Sequence, residues 1–229
     1  QIGKRHRVRG TIESLNYFSE MRVLETSICL DEGWPGHTGG QFAFVTFARS
    51  ESPHPFTIAS AWNPEERSIM FITKALGDYT QLLPDHLKVG DAAMVEGPYG
   101  RFTFDDQRKR QIWIGGGIGI TPFIARMKQL ASEQHNQDID LFHTTTKLDQ
   151  AALDKLTADA ANANVNLHIL IDERDGYLTG DRLRAMIPDW REASVWFCGP
   201  TAFGQALRND IIASGLSAKE FHQELFNMR

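Results

Sequence analysis

Short segments with partial alternation of apolar and polar positions dominate the first hundred residues. Six of them, rich in β-branched and aromatic residues and separated by turn-forming residues, read as strands: 7–15, 21–30, 41–48, 54–60, 68–75 and 91–100. One helical segment, near 79–86, interrupts the series. Six short strands joined by turns predict a closed antiparallel β-barrel, which we assign to residues 1–104.

Strands and helices alternate in the second half of the chain. The predicted strands are 110–116, 138–146, 166–172, 193–199 and 220–226, and the predicted helices are 120–134, 150–163, 179–186 and 201–214. This alternation predicts an α/β domain over residues 105–229, a doubly wound parallel sheet with helices on both faces. Ligands of such a sheet bind outside the carboxyl ends of its strands.

Composition and charge narrow the function. The 229 residues suffice for two modest domains, and 24 basic against 29 acidic residues give a formal charge of −5, which disfavours nucleic-acid binding. The two cysteines, Cys29 and Cys198, lack CxxC spacing, so we expect neither a metal or iron-sulfur site nor a disulfide framework. No stretch has the roughly 20 apolar residues of a spanning helix.

The first residues are basic and do not begin with Met. Lys4, Arg5, His6, Arg7 and Arg9 suit the cytoplasmic side of a missing membrane segment, by the positive-inside rule. A solvated first strand of the barrel explains the same cluster equally well.

A glycine-rich turn joins the first strand of the second domain to a helix, in the stretch IWIGGGIGITP (112–122). Glycines allow a diphosphate to approach the backbone, and a helix amino terminus favours an anion. The pattern is not GxGxxG, and tight packing alone would also explain it. Cys198 follows the fourth strand of this domain and should lie at the same edge; a buried Cys is more often an inert apolar residue.

Six motifs occur in the order found in the ferredoxin-NADP reductase superfamily, which the whole chain resembles. They are HPFTIAS, LGDYT, EGPYG, GGGIGITPF, FCGP and a terminal ELF. The HPFT form is most similar to the dehydrogenase domains of ferric reductases and NADPH oxidases. The resemblance implies a flavoprotein in which NAD(P)H passes a hydride to FAD on the barrel, and the flavin passes single electrons to an acceptor.

The resemblance also assigns roles to individual residues. The FAD contacts it implies are His54, Pro55, Phe56, Thr57, Thr73, Lys74, Gly77, Asp78, Tyr79, Thr80 and Phe226. The NAD(P)H contacts it implies are Gly116, Gly117, Ile118, Gly119, Thr121, Pro122, Cys198, Gly199 and Pro200. The residues themselves add Thr145, Thr146, Lys147 and Arg182 as candidates, because hydroxyls and cations suit a phosphate. The catalytic group that the resemblance implies is Thr57 beside the flavin N5, Cys198 beside the nicotinamide, Glu224 as their hydrogen-bonding neighbour, and Phe226 stacked on the flavin. Plainer alternatives remain: Lys74 and Arg182 solvated, and Phe226 a packing residue.

The choice of nicotinamide cofactor depends on the residues after the second strand of the α/β domain. His143, Thr144, Thr145, Thr146 and Lys147 contain no acid to bind a ribose 2′-hydroxyl. Their hydroxyls and the lysine, with Arg182 as a second candidate, can instead bind a 2′-phosphate, so we predict NADPH, with NADH possible.

Three hypotheses concern the function. The first, favoured by the basic first residues, the absent Met and the HPFT form, is electron transfer to a haem in an attached membrane domain, which would tether the protein to the cytoplasmic face of the inner or plasma membrane. The second is a free-standing soluble reductase that serves an oxygenase or another soluble acceptor, and the third is a nucleotide-binding regulatory module without turnover.

Overall fold

The computed structural model describes residues 7–47, 52–75, 78–106, 108–133, 135–147 and 149–226, without the side chains at 78, 79 and 226. Two compact units make up this part of the chain. One consists of the residues up to 103 together with 121–129, and the other of 104–120 together with the residues from 130 onward.

The first unit contains a six-stranded antiparallel sheet in the order β4-β3-β6-β1-β2-β5. Its strands are β1 Arg7–Phe18, β2 Val23–Leu30, β3 Phe42–Thr46, β4 His54–Thr57, β5 Ser68–Lys74 and β6 Ala92–Tyr99, with helix α1 Asp78–His86 between the last two. A bridge between Ile58 and Phe71 joins the two ends of this order, and the Ala59 N–H donates to the Met70 carbonyl at 2.7 Å. The sheet therefore closes into the predicted barrel.

Alternation of side chains fills the barrel interior. Every second residue of β5 is buried, and β2 buries Ile28 and Leu30 on the same face. Ile28 and Leu30 pack with Ile69 of β5, Val45 of β3 and Val95 of β6 in one apolar cluster. The strands form here because branched apolar residues at period two can bury one face of a pleated sheet.

The second unit contains a five-stranded parallel sheet in the order β11-β10-β7-β8-β9. Its strands are β7 Arg110–Gly116, β8 Asp138–Thr145, β9 Asn166–Ile171, β10 Ser194–Pro200 and β11 Phe221–Phe226. The remaining helices of the chain are α2 Thr121–Leu130, α3 Gln150–Asn162, α4 Asp172–Asp175, α5 Gly180–Met186 and α6 Thr201–Ala213. Because the strand order reverses at β7, the sheet is doubly wound, as predicted.

Two local features differ from the predicted elements. The helix expected over 120–134 is preceded by a 3-10 turn, Gly117–Ile120, and ends at Leu130. Helix α4 was not predicted, because four residues are too few to show a helical period.

Polar contacts centred on the buried Asp140 carboxylate tie the amino ends of β7, β8 and β9 together. The Arg110 guanidinium lies 2.6 Å from the Asp140 carboxylate and 3.3 Å from that of Asp138, and His168 Nε2 lies 2.5 Å from Asp140. Burial alone would raise the pKa of Asp140, but the hydrogen bonds from His168 and Arg110 outweigh it and lower that pKa. Asp140 is therefore an ionised carboxylate beside the Arg110 guanidinium at the amino edge.

Indole N–H groups on the other face of the same sheet also have acceptors. Trp113 Nε1 donates to Gln111 Oε1 at 2.8 Å, and Trp196 Nε1 donates to Asp106 Oδ2 at 3.0 Å. The ring of Phe104 lies between these two indoles, at 4.9 and 5.1 Å from their centroids. Both indole N–H groups are thus buried and have an acceptor, which indicates that this face of the sheet has a structural role.

Candidate functional site

The candidate flavin strand is β4, and its four residues divide between two faces. Thr57 lies opposite Phe42 and Pro55 opposite Phe44 in the β3–β4 pairing. The side chains of these two β4 residues therefore share one face with the two β3 phenylalanines. Phe56 lies on the other face and packs against the barrel core. The predicted flavin contacts therefore cannot all meet one ligand surface through their side chains.

An aromatic cluster accompanies Thr57 and was not predicted from the sequence. The rings of Phe42, Phe44 and Tyr99 lie 5.7 to 5.8 Å apart, and each is half-buried. Tyr99 pairs with Phe42 across β3 and β6, and its hydroxyl donates to Glu96 at 2.9 Å. The signal in the sequence was the spacing of Phe42 and Phe44, which places both rings on one side of a strand.

The candidate FAD diphosphate motif falls partly outside the described residues. Gly77 lies there entirely, and Asp78 and Tyr79 are described only as the backbone that begins α1. Thr80 and Lys74 are half-buried. Thr73 is buried, and its hydroxyl donates at 3.4 Å to the carbonyl of Leu24, the residue opposite it on the neighbouring strand β2. Its side chain therefore already has a partner within the sheet.

The glycine-rich turn packs directly on the end of β10. A side chain at Gly119 would place its Cβ 2.2 Å from the Cys198 carbonyl oxygen, and one at Gly116 would lie 2.9 Å from the Pro200 ring. Gly117 differs, because its φ is +56° and a Cβ there would meet no atom within 4 Å. Packing explains Gly116 and Gly119, whereas Gly117 leaves an open side at which the backbone can be approached by a ligand.

Cys198 and Glu224 lie side by side at this edge, in register between β10 and β11. Cys198 is fully buried, and burial, with the Glu224 carboxylate, raises the pKa of its thiol well above the ordinary value. Burial also raises the pKa of Glu224 to about 6. Its Oε2 has no hydrogen-bond partner among the described residues. The thiol is therefore protonated, and the carboxyl group can hold a proton near neutral pH.

The predicted 2′-phosphate ligands are separated along the carboxyl edge. Thr146 and Lys147 are exposed after β8, where the Thr145 hydroxyl donates to the Lys147 carbonyl at 2.7 Å. Arg182 instead donates to the Asp175 carbonyl at 2.6 Å, beyond the end of β9. Ile118 lies within the turn, and Thr121 and Pro122 follow it as the first residues of α2. Gly199 lies in β10, where a Cβ would come 3.1 Å from the Gly116 Cα.

Phe226 is the last residue of β11 and pairs with Pro200 through its backbone. Its side chain is outside the described residues, so its role as a flavin gate stays a prediction.

Two histidines that belong to none of the sequence motifs form hydrogen bonds with backbone carbonyls next to the predicted sites. His37 Nε2 lies 3.0 Å from the carbonyl of Ser60, three residues after Thr57. His143 Nδ1 lies 3.1 Å from the carbonyl of Gly115, which precedes the glycine turn. Sequence spacing could not reveal them, because each contact joins residues more than 20 positions apart.

Comparisons with known proteins agree with this geometry. Residues 22–103 match a family described as an FAD-binding domain. The chain is 25% identical over 162 residues to a flavohemoprotein of Oceanobacillus iheyensis, covering 66% of this chain and 40% of that protein. It is 26% identical over 202 residues to the glycine betaine monooxygenase reductase subunit of Pseudomonas aeruginosa, covering 82% and 55%. It is 32% identical over 138 residues to ferric reduction oxidase 4 of Arabidopsis thaliana, covering 53% and 20%.

Solved structures share the fold. A cytochrome P450 reductase from Amycolatopsis superposes with a TM-score of 0.81 at 20% identity, over 96% of this chain and 70% of that one. A variant of ferredoxin-NADP+ reductase from Plasmodium falciparum superposes with a TM-score of 0.74 at 18% identity, over 98% and 99%. The matched FAD-binding region, together with a fold shared with these reductases, indicates an FAD-dependent NAD(P)H oxidoreductase domain. The chain spans about half or less of each of the three curated relatives.

None of the helices in the described ranges has the length and apolar character needed to cross a membrane.

Proposed function

We propose that the chain is a reductase module that takes a hydride from NAD(P)H onto FAD and passes the electrons singly to an acceptor. The observation that carries this proposal is the carboxyl edge of the second sheet, where the open glycine turn lies beside Cys198 and Glu224. In doubly wound sheets this edge binds the dinucleotide.

The residues of the chain supply positions and protons. When bound, FAD supplies the two-electron to one-electron conversion. Thr57 offers a hydroxyl that can both donate and accept a hydrogen bond, as a flavin nitrogen that gains and loses a proton requires. Cys198 contributes a protonated thiol, and Glu224 a carboxyl group whose pKa of about 6 suits it to hold or release a proton at neutral pH.

For the acceptor we favour an oxygenase component or a haem protein. Support comes from the names of the relatives, a monooxygenase reductase subunit and a flavohemoprotein. A haem in an attached membrane domain is the second candidate, favoured by the relative named ferric reduction oxidase and by the HPFT motif. Expression of the full-length gene product, followed by a haem spectrum and membrane fractionation, separates the two: membrane-bound haem on the same chain supports the second.

The proposed choice of NADPH depends on Lys147. It is exposed after β8, whereas the end of β9 carries Asp172, Glu173 and Asp175 in the short helix α4. We expect a higher kcat/KM for NADPH than for NADH, and a smaller preference in Lys147→Ala. A higher kcat/KM for NADH would refute this choice and indicate that the acids after β9 meet the ribose.

A simple experiment tests the proposed activity. The purified protein is expected to show an FAD absorbance spectrum that bleaches when NADPH or NADH is added without oxygen. A protein that binds nucleotide but does not bleach would be a non-catalytic nucleotide-binding module, and both reductase hypotheses would fail.

A further inference from the structure

The hydrogen bonds of His37 determine its tautomer. The indole Nε1 of Trp34, which can only donate, lies 3.2 Å from His37 Nδ1. The Ser60 carbonyl, which can only accept, lies 3.0 Å from His37 Nε2. The ring is therefore neutral, with its proton on Nε2 and its lone pair on Nδ1.

Ser60, whose carbonyl accepts this hydrogen bond, lies three residues after the end of the candidate flavin strand β4. Ser60 also accepts the Met70 N–H through its hydroxyl at 3.0 Å, so it is fixed from β5 as well as from the His37 loop. Trp62 lies 5.6 Å from the His37 ring, and a side chain at Gly36 would come within 3.1 Å of Trp62. The imidazole is thus held in one place by packing and by both ring nitrogens.

His143 has the opposite tautomer. The carbonyl of Gly115 accepts, so the nitrogen 3.1 Å away, Nδ1, must carry the proton. Gly115 and His143 are opposite one another in the β7–β8 pairing. The imidazole therefore fixes a backbone carbonyl two residues before Gly117.

Both rings stay neutral over the range in which histidine ordinarily titrates. Burial lowers the pKa of His37 to about 4 and that of His143 to about 4, and in each case the bond to the carbonyl offsets only part of this effect. Each ring therefore keeps a single N–H for its carbonyl at physiological pH.

We propose that His37 and His143 are positioning residues, one for each cofactor: His37 fixes the exit of the flavin strand through Ser60, and His143 fixes the entry of the glycine turn through Gly115. The inference rests on the proposed function. Neither residue takes part in the chemistry; each supplies an N–H donor to a backbone carbonyl beside a predicted cofactor site.

The two tautomers allow a crossed set of substitutions. A glutamine N–H reaches the position of Nε2 and an asparagine N–H that of Nδ1. His37→Gln and His143→Asn should therefore keep the contacts, while His37→Asn and His143→Gln should lose them. His37→Leu and His143→Leu remove the donors altogether.

We expect substitutions of His37 to change the affinity for FAD, and substitutions of His143 to change the affinity for NAD(P)+. His37→Leu and His37→Asn should weaken FAD retention roughly tenfold, the effect of one lost hydrogen bond, and leave the affinity for NAD(P)+ unchanged. His143→Leu and His143→Gln should weaken NAD(P)+ binding by a similar factor, with FAD retention unchanged. FAD retained by the purified protein on dialysis, and NAD(P)+ titrated by difference absorbance, measure these two affinities.

A measurement on the unmodified protein covers variants that fail to fold. Nitrogen-15 spectra of histidine-labelled protein should show two rings that do not titrate over roughly pH 5 to 8, one protonated at Nε2 and the other at Nδ1. Ordinary titration of either ring, or the wrong tautomer, would overturn the inference.

Equal affinities in all six variants would overturn it too. Failure of the unmodified protein to bind FAD or to be reduced would instead count against the proposed function.

Discussion

The two ends of the parallel sheet differ in how their polar groups are paired. At the amino end, the Asp140 carboxylate contacts both Arg110 and His168. At the carboxyl end, Glu224 Oε2 is buried without a partner among the described residues, and Gly117 faces open space. The same sheet thus carries a paired carboxylate at its amino end and a carboxylate with an unpartnered oxygen at its carboxyl end.

The difference indicates which end does chemistry. A paired buried network fixes structure, and its loss costs stability. Buried titratable groups without partners are costly to keep, so they mark a place where a ligand completes the contacts. Substitutions at the amino end should therefore change stability alone, and those at the carboxyl end should change cofactor binding or rate.

The largest expected effect is the loss of Asp140. Asp140→Ala removes the buried partner of Arg110 and leaves this 12% exposed cation with only the more exposed carboxylates of Asp138 and Asp189. We expect about 3 kcal/mol of destabilisation in urea unfolding, the lower end of the range for breaking a buried pair. The KM for NAD(P)H should not change. Asp138→Ala is the matched control, because its carboxylate is 65% exposed and also contacts Arg110; its effect should stay below about 1 kcal/mol.

This prediction has a defined pH dependence. The lowered pKa of Asp140 means that its stabilising effect is present above the ordinary value of 3.8 and is lost as the pH falls through the folded value. A stability difference that faded near neutral pH would contradict the ionised pair.

The next effect distinguishes two glycines of one turn. Gly119→Ala forces a Cβ to within 2.2 Å of a backbone oxygen, so the strand end must move. We expect roughly 3 kcal/mol of destabilisation, at the upper end of the range for overpacking. Gly117→Ala meets no atom and should cost only about 1 kcal/mol, from its positive φ. Equal losses of thermal stability in the two variants would show that the turn is not packed as described.

A third prediction concerns Glu224. Because its folded pKa of about 6 lies above the ordinary 4.5, the wild-type carboxyl group is best tolerated below pH 4.5 and destabilises increasingly as the pH rises through 6. Glu224→Gln should therefore be more stable than the wild type well above pH 6, and this gain should vanish towards pH 4.5. Melting temperatures across this range test the sign, and a pH-independent difference would refute the raised pKa.

The smallest effect on stability is expected for Cys198→Ser. The substitution keeps the size of a small side chain, so NAD(P)H binding should be nearly normal, while flavin reduction slows on the order of tenfold through misplacement of the reacting groups. Stopped-flow absorbance measures this rate. An unchanged rate would identify Cys198 as an inert core residue.

Most of the fold could be predicted from the sequence, because it depends on local pattern. Strand β7 lies where the apolar run RQIWIGG predicts it, and β11 where EFHQELF does. Helix α4 and the 3-10 turn before α2 could not be predicted, because neither contains enough residues to show a helical period.

The site could be predicted only in part. The glycine-rich stretch and Cys198 lie at the carboxyl ends of predicted strands, so the position of these strand ends was enough to bring them to one edge. The contacts of His37 and His143 depend on which strands become neighbours and on ring orientation, and neither is encoded in local spacing. The division of β4 between two faces required the register of its partner β3.

The position of β11 has a further consequence. It is the outermost strand of its sheet and pairs with β10 alone, so its backbone has one neighbour where β10 has two. Edge strands open at a smaller free energy than the centre of a sheet, in fluctuations that leave the rest folded. The position of Glu224 beside Cys198 therefore depends on the pairing of β11 with β10. Local opening of this edge strand would move the Glu224 carboxyl group away from Cys198 without unfolding the rest of the molecule.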